Sequence, residues 1–417
     1  MKSKFYKFSA LIAAAAMLCL SGCSRPGSIS DDSGIERSTL DHLTIPEASD
    51  TAPKPQESET GTVSDTFDPS VSSVTGFSDD ILAKAQAILD TMSLEDKVGQ
   101  MFLVRCPETD GAGQAGTWHP GGYILFGRDF ENKTKDQVIA DISGYQSAST
   151  VPMFIAVDEE GGTVNRVSTN KELRLYPFWS PQELFAEGGL ELIAGDTLEK
   201  SLLLKSLGIN MNLAPVCDVS TDSSDFIYRR AFGQDASGTA EYVKTVVKTM
   251  NENKIASALK HFPGYGSNSD THTGIAQDTR SYETFTGSDF LPFIAGIQEN
   301  ATAVLVSHTI VQSMDANAPA SLSAAVHDIL RNELGFNGII MTDDLSMEAI
   351  TQSIGSSADA AVAAVLAGND LLCTTDYEQQ IPAVIDAVNA GAISEARVNQ
   401  SVLRILASKL ELGIIQQ

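Results

Sequence analysis

Basic residues are scarce in this sequence. Lys and Arg number 28 against 54 Asp and Glu, which gives a formal net charge of −26 over 417 residues. Because a nucleic-acid-binding surface needs a basic stripe that neutralises phosphates, this balance argues against a nucleic-acid partner. It also disfavours adhesion to anionic lipid by charge alone. The apolar share of 42% is ordinary for a globular protein and excludes disorder over the full length.

The apolar run near the amino terminus is too short to cross a membrane. Ala10–Leu20 has 11 residues, whereas a membrane-spanning helix needs roughly 20. It follows Lys2, Lys4 and Lys7, and a basic start before a short apolar run is typical of a secretory signal. Residues 1–22 are therefore predicted to be a signal peptide.

A cysteine directly follows this run. Leu20–Cys23 resembles a bacterial lipobox, in which the cysteine is acylated and becomes the mature amino terminus; the alternative is an ordinary signal with an incidental cysteine. Residues 23–78 carry ten acidic and three basic residues without apolar periodicity, which predicts a flexible acidic linker. We therefore expect an exported protein, held on the extracytoplasmic face of the cell membrane by a lipid on Cys23.

Cysteine and cofactor motifs are also few. Beyond the signal and Cys23, the chain has only Cys106, Cys217 and Cys373, whose odd number and wide spacing favour buried thiols over a metal or redox pair. A disulfide between Cys106 and Cys373 is possible but not predicted. The two cysteines fall on the first and last predicted strands, which are neighbours in a closed barrel. HExxH, GxSxG and Walker patterns are missing, so neither a metal nor a cofactor is expected.

Short apolar runs alternate with longer amphipathic stretches from residue 79 to residue 417, which is typical of a parallel α/β architecture. The predicted strands are Val98–Cys106, Gly122–Phe126, Met153–Val157, Ile209–Pro215, Ile255–Lys260, Ala303–His308, Gly338–Thr342 and Asp370–Thr374. The predicted helices are Lys135–Ser147, Leu190–Leu207, Ala240–Asn253, Leu322–Leu334, Ala358–Ala367, Gln379–Ala390 and Glu395–Leu412. Eight such units predict a TIM-type (β/α)₈ barrel as a single catalytic domain, with no clear helix between the first two strands. A doubly wound open sheet is the alternative, weakened by the missing Rossmann fingerprint.

Polar residues follow five of the predicted strands where each one ends. They are Asp158–Glu160, Cys217–Asp218, Lys260–His261, Ser307–His308 and Asp343–Asp344. Because the carboxyl ends of barrel strands meet at one face, these residues predict a polar pocket there. Carboxylates, a lysine, arginines and histidines suit the binding of sugar hydroxyls and displacement at an anomeric carbon.

Four sequence blocks resemble glycoside hydrolase family 3, and three of them resemble its β-N-acetylhexosaminidase branch. The four blocks are Ile329–Asp343, Lys260–His272, Asp158–Arg166 and Arg230–Gly233. The similarity covers roughly residues 81–413, and the family's first domain is a (β/α)₈ barrel, which agrees with the strand count.

The resemblance implies roles for individual residues. It implies that Asp343 is the nucleophile, that His272 is the acid/base with Asp270 as its partner, and that Asp344 is structural. A carboxylate beside an imidazole fixes its tautomer and supports its charged form, which suits proton transfer near neutral pH. Tyr265 stands where the family block usually has histidine, so the detailed role of that loop is open.

The resemblance also implies a set of residues that hold the terminal sugar: Asp158, Arg166, Arg230, Lys260 and His261. Arginine and lysine donate to several hydroxyls, and a carboxylate accepts from two at once. Many family members carry a second domain after the barrel. We expect the barrel alone to supply this chain's catalytic set.

The function expected from the residues and the resemblance is an exo-acting, retaining β-N-acetylhexosaminidase. It would remove terminal β-linked N-acetylglucosamine from peptidoglycan- or chitin-type glycans by double displacement, as a monomer. The alternatives are a β-glucosidase or β-xylosidase of the same family, an N-acetylglucosaminide phosphorylase, and a lipoprotein that binds glycans without cleaving them.

Overall fold

The protein is described by a computed structural model, which covers residues 74–268, 274 and 276–416. The predicted signal peptide, Cys23 and nearly all of the predicted linker lie outside the described residues, so these assignments stay predictions. The first helix of the described residues begins at Asp79, and the side chain of Ser78 caps its first turn by accepting the Ile81 N–H. No helix in the described part of the chain is both long enough and apolar enough to cross a membrane.

The described residues form ten strands and fourteen α-helices. The strands are β1 Phe102–Arg105, β2 Gly122–Leu125, β3 Phe154–Val157, β4 Met211–Asn212, β5 Ala256–Phe262, β6 Gln277–Asp278, β7 Ala303–Val306, β8 Ile310–Val311, β9 Ile339–Thr342 and β10 Leu372–Thr374. The helices are α1 Asp79–Leu89, α2 Leu94–Gln100, α3 Gly111–Trp118, α4 Gly127–Phe130, α5 Lys135–Ala148, α6 Pro181–Leu207, α7 Ala236–Glu252, α8 Tyr282–Thr284, α9 Phe290–Gln298, α10 Ala324–Asp328, α11 Glu348–Ser353, α12 Ser357–Ala367, α13 Tyr377–Asn389 and α14 Glu395–Glu411.

Eight of these strands form one parallel sheet in the order β10-β1-β2-β3-β4-β5-β7-β9. A parallel bridge between Met341 and Leu371 joins its two ends. The sheet is thus a closed barrel, and the predicted TIM-type (β/α)₈ fold is confirmed. The two remaining strands, β6 and β8, pair with each other outside the barrel, in the loops after β5 and β7.

Successive strand residues face opposite sides of the barrel wall. Leu103 joins the side chains inside the barrel, whereas Phe102 and Val104 join the layer between the strands and the helices. Both faces are therefore apolar, as the continuous apolar runs predict for strands covered on both sides. Cys106, Cys217 and Cys373 are free, buried thiols.

The start of the barrel differs from the prediction. Residues 98–100, predicted as strand, belong to helix α2, because Ser93 and Asp96 form a reciprocal capping box that starts a helix just before them. Helix α3 lies between the first two strands, where no helix was expected. Its glycine-rich sequence hides it, but the Asp110 side chain accepts the Gly113 N–H and caps it.

A buried lysine lies near the amino ends of the strands. Lys409 on α14 is fully buried, donates to Gln100 Oε1 at 2.8 Å and lies 5.2 Å from the centre of the Phe154 ring. Burial lowers the pKa of Lys409 to about 7. No carboxylate within the described residues forms an ion pair with it.

We predict that Lys409→Met stabilises the protein at neutral and acidic pH. The pKa of Lys409 is lower in the folded than in the unfolded protein. Burial of this lysine therefore lowers the free energy of unfolding most at and below about pH 7, and this penalty disappears above about pH 10.5. After subtraction of the lost Gln100 bond, the free energy of unfolding should rise by about 2 kcal/mol at pH 6. Urea unfolding at pH 6 and pH 10 measures it, with the exposed Lys248→Met on α7 as the matched control. A gain at pH 10 equal to that at pH 6 would contradict the role of charge.

Candidate active site

The carboxyl ends of the barrel strands carry the polar residues that the sequence places there. Asp158 and Glu160 follow β3, Lys260 and His261 lie in β5, and Asp343 follows β9. Because all eight strands run parallel, these positions share one end of the barrel.

A chain of ion pairs links the residues after β3 to β5. Lys260 Nζ lies 2.7 Å from Asp158 Oδ1 and 2.6 Å from Glu160 Oε1. Arg230 donates to the two oxygens of Glu160 at 2.8 and 3.1 Å. Burial acts to raise the pKa of Glu160, but Lys260 and Arg230 outweigh it and hold that pKa well below its usual value. Glu160 is therefore a charged group that fixes two cations.

The chain of contacts continues to a histidine of defined tautomer. Arg230 Nη2 lies 3.1 Å from His261 Nε2, and His261 Nδ1 lies 2.7 Å from Asp218 Oδ2. Because a guanidinium only donates, Nε2 accepts and Nδ1 carries the hydrogen given to Asp218. Asp218 Oδ1 also accepts the Tyr265 backbone N–H at 2.7 Å, so one buried carboxylate positions the histidine and the loop after β5.

Glu159 has a different task from its two acidic neighbours. It is fully buried, and Oε2 accepts the backbone N–H groups of Arg166 and Val167 at 2.7 Å each. Its own N–H donates to Asn212 Oδ1 at the end of β4. Glu159 thus stabilises the loop after β3, whereas Asp158 and Glu160 on either side of it both contact Lys260.

The two aspartates after β9 are held differently. Asp343 donates its backbone N–H to Val306 O, and its Oδ1 accepts the Asp344 N–H at 2.9 Å. The Asp344 side chain accepts from Ser346 N and from Thr375 Oγ1, so it caps its own loop. This difference agrees with the assignment of Asp343 as nucleophile and Asp344 as structural, which stays a prediction.

The strand before Asp343 is braced by a buried ion cluster. Asp370 Oδ2 accepts the Ile340 N–H at 3.0 Å and pairs with Arg331, while Oδ1 lies 3.2 Å from Arg404. Burial acts to raise the pKa of Asp370, yet the surrounding arginines hold that pKa at about 2. Arg331, in the block that resembles the nucleophile signature, therefore supports β9 and β10 and does not face the pocket.

Three residues predicted to lie in the pocket remain: Arg166, Asp270 and His272. The Arg166 side chain hydrogen-bonds to none of the residues in the Lys260–Arg230 chain; its Cζ lies 5.7 Å from the centre of the Phe126 ring. Asp270 and His272 lie outside the described residues, so the acid/base pair stays a prediction.

The thiol of Cys373 has a raised pKa. Burial is the main cause, and the negative charges of Asp344, Asp343 and Asp158 add to it.

Sequence reasoning missed two residues at this end of the barrel. Glu160 and Asp218 were quoted in the motifs but received no role. A signal for Glu160 existed, because residues two apart on extended chain point to the same side, as Asp158 and Glu160 do toward Lys260. Asp218 follows a predicted strand, but only the fold shows that His261 is its partner.

The carboxyl end of this TIM-type barrel holds a cluster of carboxylates, a lysine, an arginine and a histidine that are joined by ion pairs and hydrogen bonds. Such a cluster at this end of the fold is typical of a barrel enzyme that acts on a polar substrate. Residues 93–408 match the model of the glycosyl hydrolase family 3 N-terminal domain. The chain belongs to this family and is a glycoside hydrolase, which confirms the prediction of an enzyme.

Three relatives show how far the similarity extends. A protein of Xylella fastidiosa named beta-hexosaminidase is 32% identical over 297 residues, covering 70% of this chain and 85% of the relative. Beta-hexosaminidase LpqI of Mycobacterium tuberculosis is 31% identical over 341 residues, 78% of this chain and 85% of the relative. The structure of a family 3 β-N-acetylglucosaminidase from Paenibacillus sp. matches with a TM-score of 0.73 and 31% identity; the match covers 78% of this chain and 64% of that one.

Proposed function

We propose that this chain is an exo-acting, retaining β-N-acetylhexosaminidase that removes terminal β-linked N-acetylglucosamine. The observation that carries the proposal is the chain of contacts Asp158–Lys260–Glu160–Arg230–His261, fixed at the carboxyl end of the barrel that also holds Asp343. Its members Lys260, Glu160 and His261 are buried. The names of the similar proteins from Xylella, Mycobacterium and Paenibacillus support the choice of sugar.

The mechanism follows from the roles proposed for three residues. Asp343 attacks the anomeric carbon while His272 gives its proton to the leaving oxygen, which breaks the glycosidic bond and forms a glycosyl-enzyme. His272 then takes a proton from water, the water oxygen attacks the anomeric carbon, and Asp343 leaves. Asp270 supports the charged imidazole, and the ion-paired cluster holds the sugar hydroxyls in place.

Hydrolysis of nitrophenyl glycosides tests this proposal. The β-N-acetylglucosaminide should be cleaved at least about a hundredfold faster, by kcat/KM, than the β-glucoside and β-xyloside, because the acetamido group adds specific contacts. Proton NMR of the first sugar released should show the β anomer, as double displacement requires. Preference for the glucoside or xyloside would identify the other family activity, and a sugar 1-phosphate formed with added phosphate would identify a phosphorylase.

We also propose that the enzyme is exported and anchored by a lipid on Cys23, with peptidoglycan- or chitin-type glycans as substrates. The basic and apolar start of the chain and the position of Cys23 support this proposal. Metabolic labelling with a fatty-acid analogue should mark the full-length chain in the membrane fraction, and Cys23→Ala should lose the label. Labelling retained in Cys23→Ala would refute the anchor.

A further inference from the structure

An open groove lies between helix α6 and the loop that precedes it. The groove has a volume of about 1270 Å³. It is lined by Arg174–Ser180 of the loop and by Leu192, Asp196 and Glu199, which share one face of α6. Pockets for a single small molecule typically measure about 300–1,000 Å³, so this groove has room for several linked units of a polymer.

Two aromatic side chains are exposed in this groove. Tyr176 is 70% and Trp179 is 53% exposed, and the neighbouring Leu175 is 64% exposed. Single exposed apolar residues are common, but several that line one groove with a polar rim are typical of a binding surface. Phenol and indole rings combine a flat apolar face with a polar O–H or N–H. They suit a sugar ring, because its C–H face is apolar and its hydroxyls lie at the edge.

Most charged side chains of the groove are paired with neighbours. Arg174 Nε lies 2.9 Å from Glu199 Oε1, and Asp196 Oδ2 lies 3.2 Å from Lys200 Nζ. Glu183 takes part in the capping box that starts α6. Three acidic and two basic residues line the groove, in a chain whose net charge is −26. This near balance favours an uncharged ligand over an ionic one.

The groove is joined to the proposed sugar site through Phe178. The backbone oxygen of this buried residue accepts the Gly162 N–H at 2.9 Å. Lys200 Nζ lies 4.9 Å from the centre of the Phe178 ring and donates to Glu160 O at 3.1 Å. Gly162 itself lines the groove and follows Glu160 by two positions. The groove therefore begins next to the ion-paired cluster at the carboxyl end of the barrel.

We propose that this groove binds a long, neutral chain of β-linked N-acetylhexosamines beyond its terminal sugar, with Tyr176 and Trp179 stacked on the sugar rings. The inference rests on the proposed function, since Glu160 and Lys260 define where the terminal sugar lies. Contacts in the groove are available only to chains long enough to reach it. The enzyme therefore prefers long glycans to disaccharides.

The chain-length dependence of hydrolysis tests the groove. Wild-type kcat/KM for chitohexaose should exceed that for chitobiose by about tenfold. Tyr176→Ala and Trp179→Ala should each lower this ratio by at least about threefold, because each removes one stacked ring, whereas Trp179→Phe should retain most of it. Leu366→Ala, which removes an exposed apolar side chain on α12, is the matched control and should leave the ratio unchanged. A wild-type ratio near one, or a ratio unchanged in both alanine variants, would overturn the proposal.

Tryptophan fluorescence tests binding without hydrolysis. The chain has two tryptophans, so Trp118→Phe leaves Trp179 as the reporter. In the full chain with Asp343→Asn added to prevent cleavage, chitohexaose should quench and blue-shift the emission in a saturable way, and chitobiose should not. If the wild type cleaves no glycoside, the proposed function fails, and this titration decides the groove alone; no saturable change with chitohexaose refutes it. A dimer in sedimentation equilibrium that Trp179→Ala dissociates would assign the groove to a second copy of this chain instead.

Discussion

Replacement of Asp343 by asparagine should reduce kcat for nitrophenyl β-N-acetylglucosaminide by at least about a thousandfold. The carboxamide keeps the size of the side chain and the acceptor for the Asp344 N–H, so the fold should be retained. It lacks the charged oxygen that forms the glycosyl-enzyme. KM should change little, because the sugar contacts belong to other residues.

Asp344→Asn is the matched control for Asp343. Its side chain binds Ser346 N and Thr375 Oγ1, so we expect a modest loss of stability and at most a tenfold loss of kcat. Asp343→Ala adds a chemical test: azide should restore turnover and yield the α-glycosyl azide, because azide then attacks the anomeric carbon directly. Full activity of Asp343→Asn, or azide rescue of Asp344→Ala instead, would move the nucleophile elsewhere.

Glu160→Gln should lower both stability and catalysis. The change leaves Lys260 and Arg230 buried with one negative charge fewer, which typically costs about 3 kcal/mol when a partner of a buried pair is removed. Because the folded pKa of Glu160 is lowered, the wild-type stabilisation is present above about pH 4.5 and is lost as the pH falls further. The variant should lack that loss on acidification.

The catalytic effect of Glu160→Gln should appear mainly as weaker sugar binding. Arg230 and Lys260 lose their common anchor, and we expect kcat/KM to fall by about a hundredfold. Urea unfolding and steady-state kinetics measure the two effects. Glu199→Gln, which removes an exposed partner of Arg174, should change each by little. Similar results for the two variants would show that Glu160 does not organise the site.

Much of the fold could be predicted because each signal was local. Apolar runs marked all eight barrel strands, although their ends shifted by several residues; β4, for example, is only Met211–Asn212 within the predicted Ile209–Pro215. The misplaced start of β1 has a clear cause. Residues 98–100 directly precede the apolar run that starts at Met101, but the capping box before them begins a helix that continues through them. Helix α3 was missed because its glycines give no periodic pattern.

The candidate site was predictable only in part. Strand ends identified Asp158, Lys260, His261 and Asp343 as polar positions at one end of the barrel. Which carboxylate meets which cation depends on contacts between residues far apart in sequence, and no local pattern encodes them. Arg230 and Glu160 are 70 positions apart, and their ion pair exists only because the loops after β3 and β4 lie side by side.

Eight apolar runs predicted an α/β barrel over an open sheet, and the motifs indicated family 3, because strand periodicity and short motifs are properties of contiguous residues. Tertiary structure alone decided the state of the charges. It made Glu160 the anchor of Lys260 and Arg230, and it gave His261 its tautomer through Asp218. Burial and distance set those interactions, and both arise only when the barrel closes.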